Sequence, residues 1–328
     1  MTNSSAADGA RPAVAGRAPS PTTATNANGH GTLLRMQGVG KNFGPVQALT
    51  DINLDIPAGA VTAIVGDNGA GKSTLIKTIS GIWQPDGGQF FWEGRPVQLH
   101  GPRDAAGLGI ATVYQDLALC DNLDIVQNML LGHEPLHRGL LDEVKMEMTA
   151  KRTLSDLAVT TVRSVRQVVG SLSGGQRQAV AVAKAVMLDA KLVVMDEPTA
   201  ALGVSQTGQV LDLIGRLASR GHAVIVISHN LNDVFQVADR IAVLYLGRLV
   251  AVGPTTDFDR QSVVDLMTTG ASTRHGNGGA LAAGAANGEI TASHSDGGQA
   301  GADGDSGASA GSDGGSGEAA DLSSGSEG

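Results

Sequence analysis

Three runs of mainly apolar residues, each closing on a group with chemistry, constrain this chain more than any other feature. Residues 60–65 read Ala-Val-Thr-Ala-Ile-Val and lead into a glycine-rich turn. Residues 191–197 read Lys-Leu-Val-Val-Met-Asp-Glu, and residues 223–229 read Ala-Val-Ile-Val-Ile-Ser-His. A run without polar alternation is a strand buried on both faces, and such strands belong to parallel sheets covered by helices. The surrounding order agrees. Helical patterns over about 205–219 and 231–238 separate the last two runs from each other and from strands within 241–252. Strand and helix alternate, which predicts an α/β fold with a mainly parallel sheet and helices on both faces.

Two stretches depart from that rhythm. Residues 33–56 alternate polar and apolar in the β manner, as in Asp51-Ile52-Asn53-Leu54-Asp55-Ile56. A further strand is expected at Phe90-Phe91-Trp92, after the Asp86-Gly87-Gly88 turn. A short strand over 111–114 then gives way to helical patterns near 123–132 and 143–158, so residues from about 116 to 172 read as a helical insert. A helix over 174–188 follows it.

The glycine-rich turn is Gly66-Asp67-Asn68-Gly69-Ala70-Gly71-Lys72-Ser73. It fits the spacing G-x-x-x-x-G-K-[ST], between a buried strand and a helix from about 72 to 80. Glycine at these places lets backbone amides converge on phosphate oxygens, and the helix N-terminus adds partial positive charge. Lys72 would reach the β- and γ-phosphates, and Ser73 would hold Mg²⁺. Ligands of open α/β sheets gather at the C-terminal strand ends. Asp196 would therefore bind Mg²⁺, and Glu197 would polarise an attacking water. Read alone, that pair is an exposed acidic turn. His229 would contact the γ-phosphate and respond to its loss; a lone histidine there is otherwise a surface or capping residue. Gln115 closes the strand before the insert, where its amide would ligate Mg²⁺ or a nucleotide-bound water. Phe43 offers a face for adenine, a stack worth ~1–3 kcal/mol, with core packing as the rival. Leu172-Ser173-Gly174-Gly175-Gln176 reads as a turn on its own. Between the loop and the acids it suggests an active site shared by two copies.

Composition bounds the folded part. The formal charge is −9, but residues 275–328 carry eight acids and no Lys or Arg, leaving −1 elsewhere. A near-neutral body gives no sign of nucleic-acid binding, and no nucleic-acid partner is expected. The Gly, Ala, Ser and Asp of the tail, 271–328, do not bury enough apolar surface to offset ordering entropy, and the first 31 residues are similar. Both termini are expected to be disordered around one domain at 32–270. The single cysteine, Cys120, excludes an intramolecular disulfide, fits a reducing compartment, and is expected to be buried. No run reaches the ~18–20 apolar residues that span a bilayer, and residues 1–31 are not expected to act as a secretory signal.

Taken together these residues resemble the ATPase subunit of ATP-binding cassette transporters, over about 33–270. Phe43 falls at the family's adenine-stacking position, and Gly66 to Ser73 with Thr74 at Walker A. Gln115 falls at the Q-loop, and Ser173, Gly174, Gly175 and Gln176 at the signature. The strand ending in Asp196 and Glu197 matches Walker B, and His229 the switch histidine. Within the family the loop sequences look most like cassettes of monosaccharide importers of the fructose, ribose and xylose kind. One Walker A and one signature suggest the single-cassette type.

The resemblance implies a P-loop NTPase with a RecA-like parallel core, an antiparallel β subdomain and a helical insert. It implies ATP and Mg²⁺, and catalysis by Lys72, Gln115, Glu197 and His229. Two copies would sandwich ATP, bound to membrane permease subunits at the cytoplasmic face of the cell membrane and served by a sugar-binding protein. Another importer class or an exporter is the alternative, and a soluble non-transport cassette a further one. Ala201-Leu202-Gly203 stands where the wider family usually has Ala-Leu-Asp, which removes a carboxylate expected at the dimer seam.

Overall fold

The computed structural model describes residues 31–271. The arm and tail expected to be disordered lie outside the described residues, apart from Gly31 and Ala271. The chain opens with two long strands, β1 (Thr32–Phe43) and β2 (Val46–Pro57), then β3 (Val61–Val65) and α1 (Lys72–Ile79). Next come β4 (Gly87–Trp92), β5 (Arg95–Val97), α2 (Pro102–Leu108) and β6 (Ile110–Val113). The insert carries α3 (Ile125–Leu130), β7 (Leu136–His137), β8 (Leu140–Leu141) and α4 (Glu143–Asp156). The chain returns through α5 (Gly174–Met187), β9 (Leu192–Asp196), α6 (Val204–Ser219) and β10 (Ala223–Ile227). It closes with α7 (Leu231–Val237), β11 (Arg240–Tyr245), β12 (Arg248–Pro254) and α8 (Arg260–Thr269).

The main sheet has the order β12-β11-β3-β10-β9-β6. All neighbours pair in parallel except the edge pair β11–β12. A second, antiparallel sheet has the order β2-β1-β4-β5. The three apolar runs became β3, β9 and β10, side by side at the centre, as a parallel sheet covered on both faces requires. Alternate residues serve different cores. Val193, Met195, Val224 and Val226 face α5, α6 and the insert, while Leu192, Val194, Ile225 and Ile227 face α1 and the antiparallel sheet. Full burial of each such side chain contributes about 1.5–3 kcal/mol. Helix α5 buries almost every side and is built of Ala and Val, which lets it sit deep between sheet and insert.

The insert is held by polar chemistry as well as by its own apolar residues. Asp124 caps α3 in a reciprocal box with Gln127, at 2.7 and 3.1 Å. Arg166 reaches Asp124 at 3.4 Å, Glu143 at 3.3 Å and Glu147 at 3.0 Å, so one guanidinium ties the start of α3 to α4. The charge of Glu147 is favoured by hydrogen bonds from Lys151 and Arg166, which hold its carboxyl below the usual range.

Sequence periodicity did not reveal α2, α8 or the β7–β8 hairpin. α2 holds a glycine and spans only Pro102–Leu108, and each hairpin strand is two residues long, too short for a period to register. Cys120 departs from expectation too: it is part-exposed, not buried. Its backbone is what the fold uses. The Cys120 N–H donates to Asn128 Oδ1 at 2.7 Å, and Asn128 Nδ2 donates to the carbonyls of Cys120, Leu123 and Asp124 at 2.9, 3.2 and 3.0 Å. Asn128 is fully buried, so one side chain folds the loop after Gln115 onto α3. Asn128→Ala leaves the Cys120 N–H without its acceptor, while the three carbonyls keep backbone donors from Leu123, Val169 and residue 128 itself. It should lower the unfolding free energy by about 1–3 kcal/mol, read as a lower urea midpoint at unchanged slope.

Candidate functional site

The loop from Gly66 to Ser73 gets its shape from bare backbone against bare backbone. A Cβ at Gly66 would meet the Leu244 carbonyl oxygen at 2.4 Å. At Gly71 the chain takes φ +104° to start α1, and a Cβ would lie 2.8 Å from the Ala48 carbonyl oxygen. No other residue type fits either place. The tight turn between β11 and β12 clamps the loop from the side. The Gly247 N–H donates to the Ala70 carbonyl at 2.9 Å, and the Thr50 N–H to the Gly247 carbonyl at 2.8 Å. Lys72 folds back over the loop, donating to the carbonyls of Gly66 and Asp67 at 2.7 and 2.9 Å.

A cavity of about 620 Å³ opens above this loop. Asn68, Gly69, Gly71, Lys72, Ser73 and Thr74 line it from below, and Gln115, Asp196, Glu197 and His229 from the strand ends. Gly69, at φ +82°, faces open space, so the cradle is clear where phosphates would enter. Ser73, Gln115 and Asp196 bring a hydroxyl, an amide and a carboxylate, the hard oxygen donors that suit Mg²⁺. Among the described residues no three His, Cys, Asp or Glu side chains gather as a metal site, so a cation here would also need phosphate oxygens.

Burial pushes the Asp196 carboxyl above its ordinary value, and the neighbouring Glu197 adds to that; Lys72 and Lys77 oppose it. A cation beside this carboxylate would favour its charged form. Glu197 sits at φ +49°, in the left-handed region, with its N–H on the Ile227 carbonyl at 2.9 Å. That turn aims its side chain at His229, whose Nδ1 lies 2.8 Å from Glu197 Oε1. An ionised carboxylate only accepts, so His229 donates from Nδ1 and keeps its other ring nitrogen free. The imidazole is 70% exposed against 16% for the Glu197 side chain, so Glu197 holds the histidine at the rim.

Other expected residues stand apart. Gly66, Asp67 and Ala70 shape the loop from behind and do not line the cavity. Phe43 does not line it either. It ends β1, edge-on to Trp83 with ring centroids 4.6 Å apart, and is 39% exposed. Ser173, Gly174, Gly175 and Gln176 also lie outside it. Ser173 caps α5, accepting from the Gln176 N–H at 3.3 Å while Gln176 Oε1 accepts the Ser173 N–H at 2.9 Å. Gln176 Nε2 also donates to the Thr161 carbonyl at 2.6 Å. The two glycines have a packing role that the motif hides. A Cβ at Gly174 would lie 2.7 Å from Leu202 Cδ2, and at Gly175 3.1 Å from Gln206 Cβ. Sequence reasoning missed one wall, made by Val46, Gln47, Ala48, Leu246 and Gly247. Ordinary residue types at a hairpin turn and a strand start carry no signal; only the fold brings them to the loop.

A phosphate loop at the C-terminal edge of a parallel sheet, with an acid pair and a histidine on the adjacent strands, places the molecule among the P-loop nucleotide hydrolases. Comparison narrows the class. Residues 49–200 match the family model described as ABC transporter. The fructose import ATP-binding protein FrcA of Rhizobium meliloti is 45% identical over 243 residues, covering 72% of this chain and 94% of that one. The xylose/arabinose import ATP-binding protein XylG of Sulfolobus acidocaldarius is 44% identical, with the same coverage of each. A dimeric post-hydrolysis structure of the ATP-binding cassette MJ0796, bound to ADP and Pi, superposes with a TM-score of 0.57 at 25% identity, over 69% of this chain and all of that one. The chain belongs to the ATP-binding cassette ATPases of ABC transporters.

The protonation of Asp196 gives a test with a definite sign. Its raised value means that the ligand-free fold is favoured below the ordinary carboxylate value of 3.8 and loses this contribution as pH rises through the folded value. Asp196→Asn should therefore raise the melting temperature of nucleotide-free protein at pH 8, with the gain vanishing under acid. Calorimetry across pH checks this, and Mg²⁺-dependent nucleotide binding should fall in the same variant.

Proposed function

We propose that this chain is the ATP-hydrolysing subunit of a monosaccharide importer, working as a dimer beneath a separate membrane permease. The observation that carries the catalytic part is the Glu197–His229 pair at 2.8 Å, in the same cavity as Lys72, Ser73 and Gln115. Water attacks the γ-phosphorus, the bond to the β–γ bridging oxygen breaks, and ADP and phosphate leave. Glu197 accepts a hydrogen bond from the attacking water and sets its direction; His229 donates from Nδ1 to Glu197 and, when Nε2 is protonated as well, donates from it to the γ-phosphate. Lys72 and the loop amides neutralise the phosphates, so catalysis is positioning and charge compensation. Ser73, Asp196 and Gln115 would hold Mg²⁺, which supplies further neutralisation of phosphate charge. Phe43 ends β1 three residues before the Val46 to Ala48 wall of the cavity, and takes the adenine.

Ser173 to Gln176 lie outside the cavity, which supports a role toward the nucleotide of a second copy. The solved relative bound to ADP and Pi is dimeric. Among the described residues no helix is long and apolar enough to cross a membrane, so coupling falls to partners: permease subunits at the cytoplasmic membrane face, with a sugar-binding protein delivering cargo. The named relatives import fructose and xylose/arabinose, which supports a monosaccharide cargo here.

Glu197→Gln should retain ATP binding and slow phosphate release by about 10²–10⁴-fold. Ser173→Arg should block hydrolysis without loosening ATP from a single chain. Both are read by phosphate release beside binding isotherms. A strictly monomeric protein whose rate per molecule ignores dilution would end the shared-site reading. Uptake of labelled monosaccharides by a strain lacking the gene should drop for one sugar and return on complementation. Unchanged uptake of every monosaccharide would leave the importer assignment without its substrate and reject it.

A further inference from the structure

The turn that carries Glu197 is fastened from outside the cavity. Thr199 Oγ1 donates to Asp233 Oδ2 at 2.6 Å. Asp233 is only 7% exposed and sits in the first turn of α7. One end of this clasp thus lies just past Glu197, and the other just past His229. Neither residue lines the cavity, so neither touches the reacting groups.

Three backbone hydrogen bonds and one side-chain bond hold the turn. The Glu197 N–H donates to the Ile227 carbonyl at 2.9 Å, the Ala200 N–H to the Glu197 carbonyl at 3.1 Å and the Leu202 N–H to the Thr199 carbonyl at 3.2 Å, and the Thr199 hydroxyl donates to Asp233. The clasp alone among these fixes the turn to the helix behind the histidine. A non-glycine residue stays in the left-handed region only when its surroundings over-determine it, and Glu197 is such a residue. On the other side, His229 is mostly exposed and its ring bonds Glu197. Its backbone is set by the Ser228 Oγ that accepts the Asn230 N–H at 3.0 Å and by the start of α7. The relative placement of the two side chains therefore depends on the turn and α7 moving as one body.

We infer that Thr199 and Asp233 are positioning residues for hydrolysis: their buried hydrogen bond locks the Glu197 turn to the helix that follows His229 and so keeps the Glu197–His229 pair formed. This rests on the hydrolytic roles proposed above. Small displacements of a positioned group cost up to about 10²-fold in rate. Thr199→Val keeps the volume and removes the donor. It should lower kcat about tenfold or more at a KM for ATP within about twofold of the unmodified chain. Thr199→Ser keeps the donor and should recover most of kcat. In a His229→Ala background, Thr199→Val should have little further effect, because the pair it maintains is already gone.

Wild-type kcat in a folded, ATP-binding Thr199→Val protein overturns the inference. So does a rise in KM that matches the loss in kcat, or a Thr199→Ser protein as slow as Thr199→Val. Should Thr199→Val not fold, Asp233→Asn decides. It exchanges a charge-assisted bond for a weaker neutral one, so a several-fold lower kcat at constant KM supports the clasp, and wild-type kcat overturns it. Glu197→Gln, run alongside, separates the two failures. Normal hydrolysis there rejects the assigned role of Glu197 itself, whereas a dead Glu197→Gln beside an unaffected Thr199→Val rejects only the clasp.

Discussion

Everything in this molecule that bears on nucleotide chemistry depends on a close approach of backbones with no side chain between them. Gly66 lies against the Leu244 carbonyl and Gly71 against the Ala48 carbonyl. Those contacts bring three parts of the chain together: the phosphate loop, the end of β11 and the start of β2. The hydrogen bonds through Gly247 then close the seam between the parallel and antiparallel sheets. A methyl group at either glycine would push the sheets apart at the proposed phosphate site. The antiparallel sheet is thus part of the site's frame as well as a cover for α1.

The second dependency runs through the turn after β9. Glu197 adopts a strained conformation, faces His229, and begins a short loop whose Leu202 presses on Gly174. The residues nearest the cavity are therefore joined by one continuous packed segment to the Ser173 cap on α5. Sequence alone assigned these two features to different roles. The structure puts them on one mechanical element, with Gly203 at its end as the N-cap of α6, where a Cβ would meet nothing within 4 Å.

Much of the fold was legible because β3, β9 and β10 are buried on both faces and must be apolar throughout. The site residues that line the cavity were legible because phosphate chemistry demands particular side chains at strand ends. What stayed hidden shares a physical reason: it depends on contacts between distant segments. Asn128 looks like any polar helical residue until its four partners are in place. Thr199 and Asp233 are unremarkable at their positions and meet only through the fold. Ala48 and Gly247 contribute backbone, for which the sequence has no letter. Ser173 and Gly174 were read for chemistry; the single chain also uses them for capping and close packing, which only the fold shows.

Arg166 has a consequence of a different kind. By gripping the cap of α3 and two turns of α4 at once, it ties the insert's two helices together. α4 alone has 14 residues, so the insert's arm is about 20 Å long. Turned as one piece with α3, an arm of that length would convert a rotation of about 10° at its base into a shift of about 3–4 Å at its tip. The ties that would make it turn so are surface charges that do not line the cavity.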